Sequence, residues 1–320
     1  MSRTHPACRE IETDLVAVAA GEAAAKAASR VHAHVALCAP CRGELARYRA
    51  VEAMLAALRQ APSPAGDVTL ARAELESRLA DLRRRLIVFG VFSSPLGPIL
   101  LARSELGVSM VTYLGRASAA SRLAALSGVE AVEDERETEP LHRDLMDYLE
   151  GRRTRLDWPL DLRLARSEFQ RRVLQVTAGL PYGAVASYGG IARQIGAPTA
   201  TRAVAQALRW NPVPIAIPCH RVIGSTGDLT GYAGNKVALK EWLLTLEGVH
   251  VLARHGTHRV DRRAMYVRLW DDTEYCLPTC GSLSRRPLAE IELFTSRERA
   301  ESVGLAPCTT CRPDLHPLLA

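Results

Sequence analysis

The chain has 320 residues, 48% of them hydrophobic and 24% charged, which is enough apolar material for more than one core, so two or three domains are expected. A formal net charge of +6 and a pI near 9.0 lean toward a polyanionic partner, although many basic proteins simply carry a solvated Lys and Arg surface. No apolar run approaches the roughly 18 residues that span a bilayer, and the polar stretch Met1 to Glu12 lacks the apolar core of a secretory leader, so a cytoplasmic protein with no membrane partner is expected.

The eight cysteines fall into groups: Cys8, Cys38 and Cys41, then Cys219 alone, then Cys276, Cys280, Cys308 and Cys311. In a cytosolic chain such grouping suggests metal rather than disulfides. In the first group His34 and Cys38 stand four apart, on one face of a helix, and Cys38-Ala39-Pro40-Cys41 brings in a third ligand, with Cys8 as the candidate fourth. An alanine-rich helical pair with incidental cysteines would show the same spacing, and His32 reads as a solvated helix residue. The motifs Cys8-Arg9-Glu10-Ile11, Asp14-Leu15, Gly21-Glu22 and Arg30-Val31-His32-Ala33-His34 resemble the zinc-binding anti-sigma domain. That resemblance implies a helical zinc domain over 1–60 and a sigma-factor partner.

Ala61-Pro62-Ser63-Pro64-Ala65-Gly66-Asp67 is a linker by composition, and Leu75, Leu79 and Leu82 give Leu70 to Arg85 a helical period, so 61–85 reads as linker plus helix. Val88, Phe89, Val91 and Phe92, a Ser93 to Pro98 turn and Ile99-Leu100-Leu101 predict a hairpin, with another strand at Met110 to Leu114. Ala117 to Glu139 reads as helix followed by a charged loop. From Glu168 the apolar positions Phe169, Val173, Leu174 and Val176 predict a helix that Gly179 to Gly183 ends. Two short helices follow, Tyr188 to Ile195 and Ala200 to Arg209, joined by Gly196-Ala197-Pro198-Thr199 in the manner of a helix-turn-helix.

Pro218-Cys219-His220-Arg221-Val222 then places a thiol beside an imidazole. A free thiol is only a few per cent thiolate at neutral pH, so a base that relays its proton makes attack much easier, and His220 is the obvious base. Arg209 to Ile217 before this block, and Gly231-Tyr232-Ala233-Gly234 and Lys240 to Gly248 after it, resemble the O6-alkylguanine-DNA alkyltransferases from about Leu86 to Gly248. The resemblance implies an α+β alkyltransferase fold, with an N-terminal subdomain over 86–165 and a DNA-binding and catalytic subdomain over 166–250. It also implies residue roles: Cys219 accepts the alkyl group, His220 is its water-mediated base, Glu247 orients His220, and Asn211 braces the loop. Arg202 would enter the base stack, Tyr188 would rotate the phosphate, and Tyr232 and the Val222 backbone would line the pocket. Trp210 and Ala233 depart from many relatives and bear on the range of alkyl groups accepted.

After a linker at 251–265, the pairs Cys276-Leu277-Pro278-Thr279-Cys280 and Cys308-Thr309-Thr310-Cys311 can converge as four thiolates on a tetrahedral zinc. A segment this short rarely stabilises itself by core burial, so a structural metal explains how 266–320 folds. Glu274 to Cys280, Phe294 to Ala300 and Gly304 to Asp314 resemble the metal-binding domain of Ada-type repair proteins, in which the first ligand takes a methyl from a DNA phosphotriester. That leaves two readings for Cys276, methyl acceptor or inert ligand. The whole therefore reads as an alkyltransferase fold flanked by two small zinc-binding domains, with two zinc ions and no organic cofactor. Its expected work is single-turnover direct reversal of O6-alkylguanine and O4-alkylthymine in double-stranded DNA, by base flipping. The alternative is a damage-responsive transcription regulator that binds a sigma factor and senses methylphosphotriesters through Cys276.

Overall fold

The computed structural model describes residues 6–60, 68–234, 236–254, 256–281 and 283–318. The chain divides into two units, Met1–Glu76 and Ser77–Ala320.

The first unit is helical. Helices α1 (Pro6–Glu10), α2 (Glu12–Ala20), α3 (Ala25–Leu37) and α4 (Ala39–Gln60) follow one another closely. Gly21, left-handed at φ 76°, ends α2, and its amide and that of Glu22 cap the last carbonyls of the helix. The core is small: Ile11, Leu15, Val31, Val35, Cys41 and Leu45. A core of this size contributes little against chain entropy, which is where a metal cross-link would matter most. Helix α5 (Val68–Arg85) carries the expected period, but Leu75, Leu79 and Leu82 remain exposed.

The second unit begins with strands β1 (Leu86–Phe92), β2 (Ile99–Ser104) and β3 (Gly107–Tyr113). The predicted hairpin closes with Phe92 opposite Ile99. Helix α6 (Ala119–Ala124) leads to β4 (Glu130–Glu133), parallel to β1, so the sheet order is β3-β2-β1-β4. The charged stretch expected as a loop instead holds β4 and the start of helix α7 (Glu135–Leu149). The cause is local: the Asp134 carboxylate accepts the amides of Arg136 and Glu137 as a helix cap. Helix α7 brings Leu145, Tyr148 and Leu149 into the main core.

Helices α8 (Glu168–Ala178), α9 (Tyr188–Gln194) and α10 (Thr201–Arg209) follow as read from the sequence, and a short strand that the sequence did not announce, β5 (Ala184–Ser187), lies between α8 and α9. Ser187 caps α9 by accepting the Gly190 amide at 3.0 Å. Strand β6 (Val222–Ile223) and helix α11 (Val237–Leu246) come next. The stretch expected as a linker forms a hairpin, β7 (Val251–Arg254) with β8 (Thr257–Val260). Beyond it lie β9 (Tyr266–Leu269), β10 (Glu274–Tyr275), β11 (Ile291–Phe294), α12 (Arg297–Glu301) and β12 (Ala306–Pro307).

The four-cysteine segment is not a bead on a string. Its β11 pairs antiparallel with β5, and the sheet runs β6-β5-β11-β9, so one ladder joins the strand after Cys219 to the strand that bridges Cys276. The sheet's burial supplies a second core of Val185, Ile223, Leu244, Val267, Ile291, Leu293 and the cysteines. Helix α9 receives Trp270 where it has no side chain: a Cβ on Gly190 would lie 2.9 Å from the Trp270 indole nitrogen. Glycine costs an exposed helix about 1 kcal/mol relative to alanine, and this close approach accounts for its presence.

Candidate active site

Cys219 opens a single helical turn, Cys219–Arg221, between the Asn211 loop and β6. The loop is held in an unusual path: Ile215 sits at φ 75°, a left-handed conformation that costs a β-branched residue of order 1–3 kcal/mol. Asn211 supports that path. Its side-chain amide donates to the Ile217 carbonyl at 2.9 Å and to Cys219 Sγ at 3.2 Å, while its oxygen accepts the Val213 amide at 3.0 Å.

Cys219 Sγ lines a cavity of about 330 Å³ together with Tyr188, Thr230, Tyr232 and Ala233. Burial pushes the Cys219 thiol above its ordinary range, with the Asn211 hydrogen bond pulling the other way. Tyr232 donates to or accepts from Tyr113 at 2.9 Å, which fixes one wall. Burial likewise raises the Tyr188 hydroxyl, so it remains protonated at neutral pH.

Behind the thiol, His220 is fully buried. Its Nε2 meets Glu247 Oε1 at 2.6 Å, whereas Nδ1 is buried without a hydrogen-bond partner. A carboxylate at Nε2 fixes the proton there and leaves Nδ1 as the acceptor. Burial lowers the pKa of His220 against the opposing pull of Glu247, so the ring is neutral at pH 7.

Glu247 is the hub. It accepts Arg221 Nε at 2.8 Å, Arg221 Nη2 at 3.0 Å and the Gly183 amide at 3.1 Å, besides His220 and the Tyr148 hydroxyl. Burial opposes its charge, but Arg221 and His220 outweigh that and hold the carboxyl far below the usual carboxylate range. Gly183, at φ 73°, is required at this point, because a Cβ would stand 2.5 Å from Thr295 Oγ1. The same residue thus hydrogen-bonds the hub and touches the four-cysteine segment, where its carbonyl accepts the Thr295 amide at 2.9 Å.

Cys219, His220, Glu247 and Asn211 are therefore brought together, with Tyr188 and Tyr232 on the cavity wall. Val222 is not on that wall: its carbonyl accepts Lys240 Nζ. Arg202 is exposed near the start of α10. Tyr148, Gly183 and Arg221 escaped sequence reasoning as parts of the hub. Arg221 adjoins the Cys-His pair and was within reach, while Tyr148 lies on a helix that carries no motif. Lys240 was missed too. Fully buried, it donates to the Val222 and Thr230 carbonyls, and burial brings its pKa down to about 8.

Residues 87–162 match the family model for the ribonuclease-like domain of 6-O-methylguanine DNA methyltransferase, and residues 168–249 that for its DNA-binding domain. A methylated-DNA–protein-cysteine methyltransferase of Methanosarcina acetivorans is 39% identical over 162 residues, 50% of this chain and 97% of the relative. The chain belongs to this methyltransferase family. A family member from Mycolicibacterium paratuberculosis is 53% identical over 103 residues, 32% of this chain and 61% of the relative. The crystal structure of the Mycobacterium tuberculosis O6-methylguanine methyltransferase is 38% identical, covers 50% of this chain and 92% of its own, and superposes with a TM-score of 0.44. Beyond the methyltransferase match, residues 266–314 match the model for the metal-binding domain of Ada.

Both cysteine groups close up. The ligand atoms of Cys8, His34, Cys38 and Cys41 lie within 4.8 Å of one another, as do those of Cys276, Cys280, Cys308 and Cys311. Zinc–sulfur bonds of about 2.3 Å in a tetrahedron put sulfurs about 3.8 Å apart, so both clusters fit zinc with little adjustment. In the second, the Leu277 amide also points at Cys311 Sγ from 3.3 Å, a contact that favours a thiolate. Among the described residues no helix is long and apolar enough to cross a membrane.

Proposed function

We infer that this chain repairs DNA by direct reversal, moving a methyl or larger alkyl group from O6-alkylguanine, and from O4-alkylthymine, to Cys219. The observation that carries the reading is the Cys219 sulfur on the wall of a cavity of about 330 Å³, with a neutral buried imidazole oriented by a carboxylate behind it. The modified base is inaccessible within a duplex, so it must leave the stack to enter the cavity. Relatives of this chain are named for methylated DNA.

The chemistry balances as a single displacement. The Cys219 proton passes through a water to His220 Nδ1, and Glu247 stabilises the imidazolium. The sulfur–carbon bond forms as the carbon–O6 bond breaks, and the guanine anion takes a proton from the Tyr188 hydroxyl on the cavity wall, which is restored through solvent by the proton held on the His220 imidazolium, so that the thiol proton ends on guanine. The product is a thioether that no neighbouring group can hydrolyse, so each chain reacts once and needs no organic cofactor. Arg202, exposed near the start of α10, holds the stack open where the base has left.

Zinc, when bound, is a structural cross-link in this reading, with one ion at each cluster, held by Cys8, His34, Cys38 and Cys41 and by Cys276, Cys280, Cys308 and Cys311. Methyl transfer from a phosphotriester to Cys276 is a separate matter. Incubating Cys219→Ala protein with phosphotriester DNA decides it: methyl on Cys276 makes it an acceptor, and an unmodified domain leaves it a ligand. The sigma-factor reading of residues 1–60 rests on resemblance, and a pull-down with the full chain tests it. The main proposal is tested by following methyl from O6-methylguanine DNA onto the protein, where failure of Cys219 to gain it removes the assignment.

A further inference from the structure

A second and larger opening lies away from Cys219. It is a cleft of about 1310 Å³ bounded by the turn after β6, by the segment from β8 to Arg263 and by the loop around Cys280. Its lining carries four arginines, Arg259, Arg262, Arg263 and Arg286, against one acid, Asp261. Arg259 and Arg286 are matched by Asp228 and Glu290 at 2.9 and 3.1 Å. Arg262 and Arg263 have no carboxylate partner among the described residues. Arg262 is instead aimed by carbonyls, donating to Arg286 and Leu283 oxygens at 2.6 Å each. A half-buried guanidinium oriented without a counter-charge is an anion site in waiting.

The lining decides what kind of anion. Ser225, Thr226, Thr279 and Ser284 add hydroxyl donors, and among the described lining residues none is an aromatic on which a base could stack. The Cys219 cavity, which has to take one base, measures about 330 Å³, so a cleft of about 1310 Å³ is sized for several nucleotides rather than one. We propose that this cleft holds a stretch of DNA sugar-phosphate backbone, with Arg262 and Arg263 binding the phosphates. The proposal rests on the reading of the chain as a DNA-repair protein. It gives the four-cysteine segment a second use, since that segment forms one wall and its sheet sets the cleft's shape.

The experiment is binding of undamaged duplex DNA to the full zinc-loaded chain, followed by fluorescence anisotropy across a salt series. Removing one arginine that neutralises a phosphate flattens the plot of log affinity against log salt by about 0.9. Arg263→Gln removes an exposed side chain and should flatten the slope by that amount with zinc content unchanged. Arg262→Gln with Arg263→Gln should lose roughly tenfold less affinity than wild type between about 50 and 200 mM salt. An unchanged slope in Arg263→Gln, with zinc retained, overturns the proposal even if the double variant misfolds. Methyl transfer is read separately by mass. Failed transfer with a flattened slope sinks the Cys219 reading and leaves the cleft, whereas normal transfer with an unchanged slope does the reverse.

Discussion

Cys219 and Cys276 are both nearly enclosed thiols, 8% and 4% exposed, and they sit at the two ends of one connected stretch of sheet. Burial raises both pKa values. Their neighbours differ. Cys219 faces a cavity, receives a side-chain amide and follows a strained loop, and its adjacent histidine is wired to a buried carboxylate. Cys276 faces three other sulfurs, and its amide and carbonyl are both paired with Val267 at 2.8 and 2.9 Å. Burial therefore does not distinguish a nucleophile from a ligand; what stands within hydrogen-bonding range does.

The sharpest way to break the comparison is Cys219→Ala. Offered O6-methylguanine DNA, that protein should take no methyl on Cys276 or anywhere else, a complete loss by intact mass, with DNA binding retained. Next in size is Glu247→Gln, which leaves the Arg221 guanidinium buried without its counter-ion. Losing one partner of a buried pair costs about 3–5 kcal/mol, so the thermal midpoint should fall by roughly 10 °C. The transfer rate should drop about 100-fold because the imidazolium loses its support. A variant with wild-type melting and rate would show that the hub is incidental.

Acid should act on the same wiring. His220 has its pKa lowered from 6.5, so the rate should hold as pH falls past 6.5 and decline only below it, as Nδ1 protonates. Glu247, whose folded pKa is depressed, contributes stability above its ordinary value of 4.5 that is lost as pH falls further. A rate already halved at pH 7 would contradict the neutral-imidazole assignment. Smaller again is the effect of Arg202→Ala. Repair should slow about tenfold in duplex and hardly at all in single strands, because only the duplex has a stack to hold open. At the other end of the sheet, chelating zinc should raise amide exchange along Ala184–Ser187, whose partner strand belongs to the four-cysteine segment.

Much of this was legible in the chain. Period and punctuation located the hairpin after Leu86 and the helices before and after Gly196, because each is decided by local chemistry. The Cys219, His220, Glu247 and Asn211 set was legible through its motif. Tyr148 was not: it reaches Glu247 across 99 positions, and nothing local to α7 marks one buried tyrosine over another. The shared sheet was hidden for a similar reason. Val251 to Met265 looks like a linker, and a short strand such as Ile291–Phe294 does not announce which edge it will join. In hindsight Gly189-Gly190, a flexible pair in a helix's first turn, was the one local hint that another segment approaches there.

The most direct test of the central claim is intact mass of the full chain before and after exposure to duplex DNA bearing O6-methylguanine, followed by peptide mapping. The account predicts one added methyl per chain, on the peptide holding Pro218 to Val222 and on Cys219 within it, with no further gain on longer exposure. An unchanged mass, or a methyl found only on another cysteine, would contradict it.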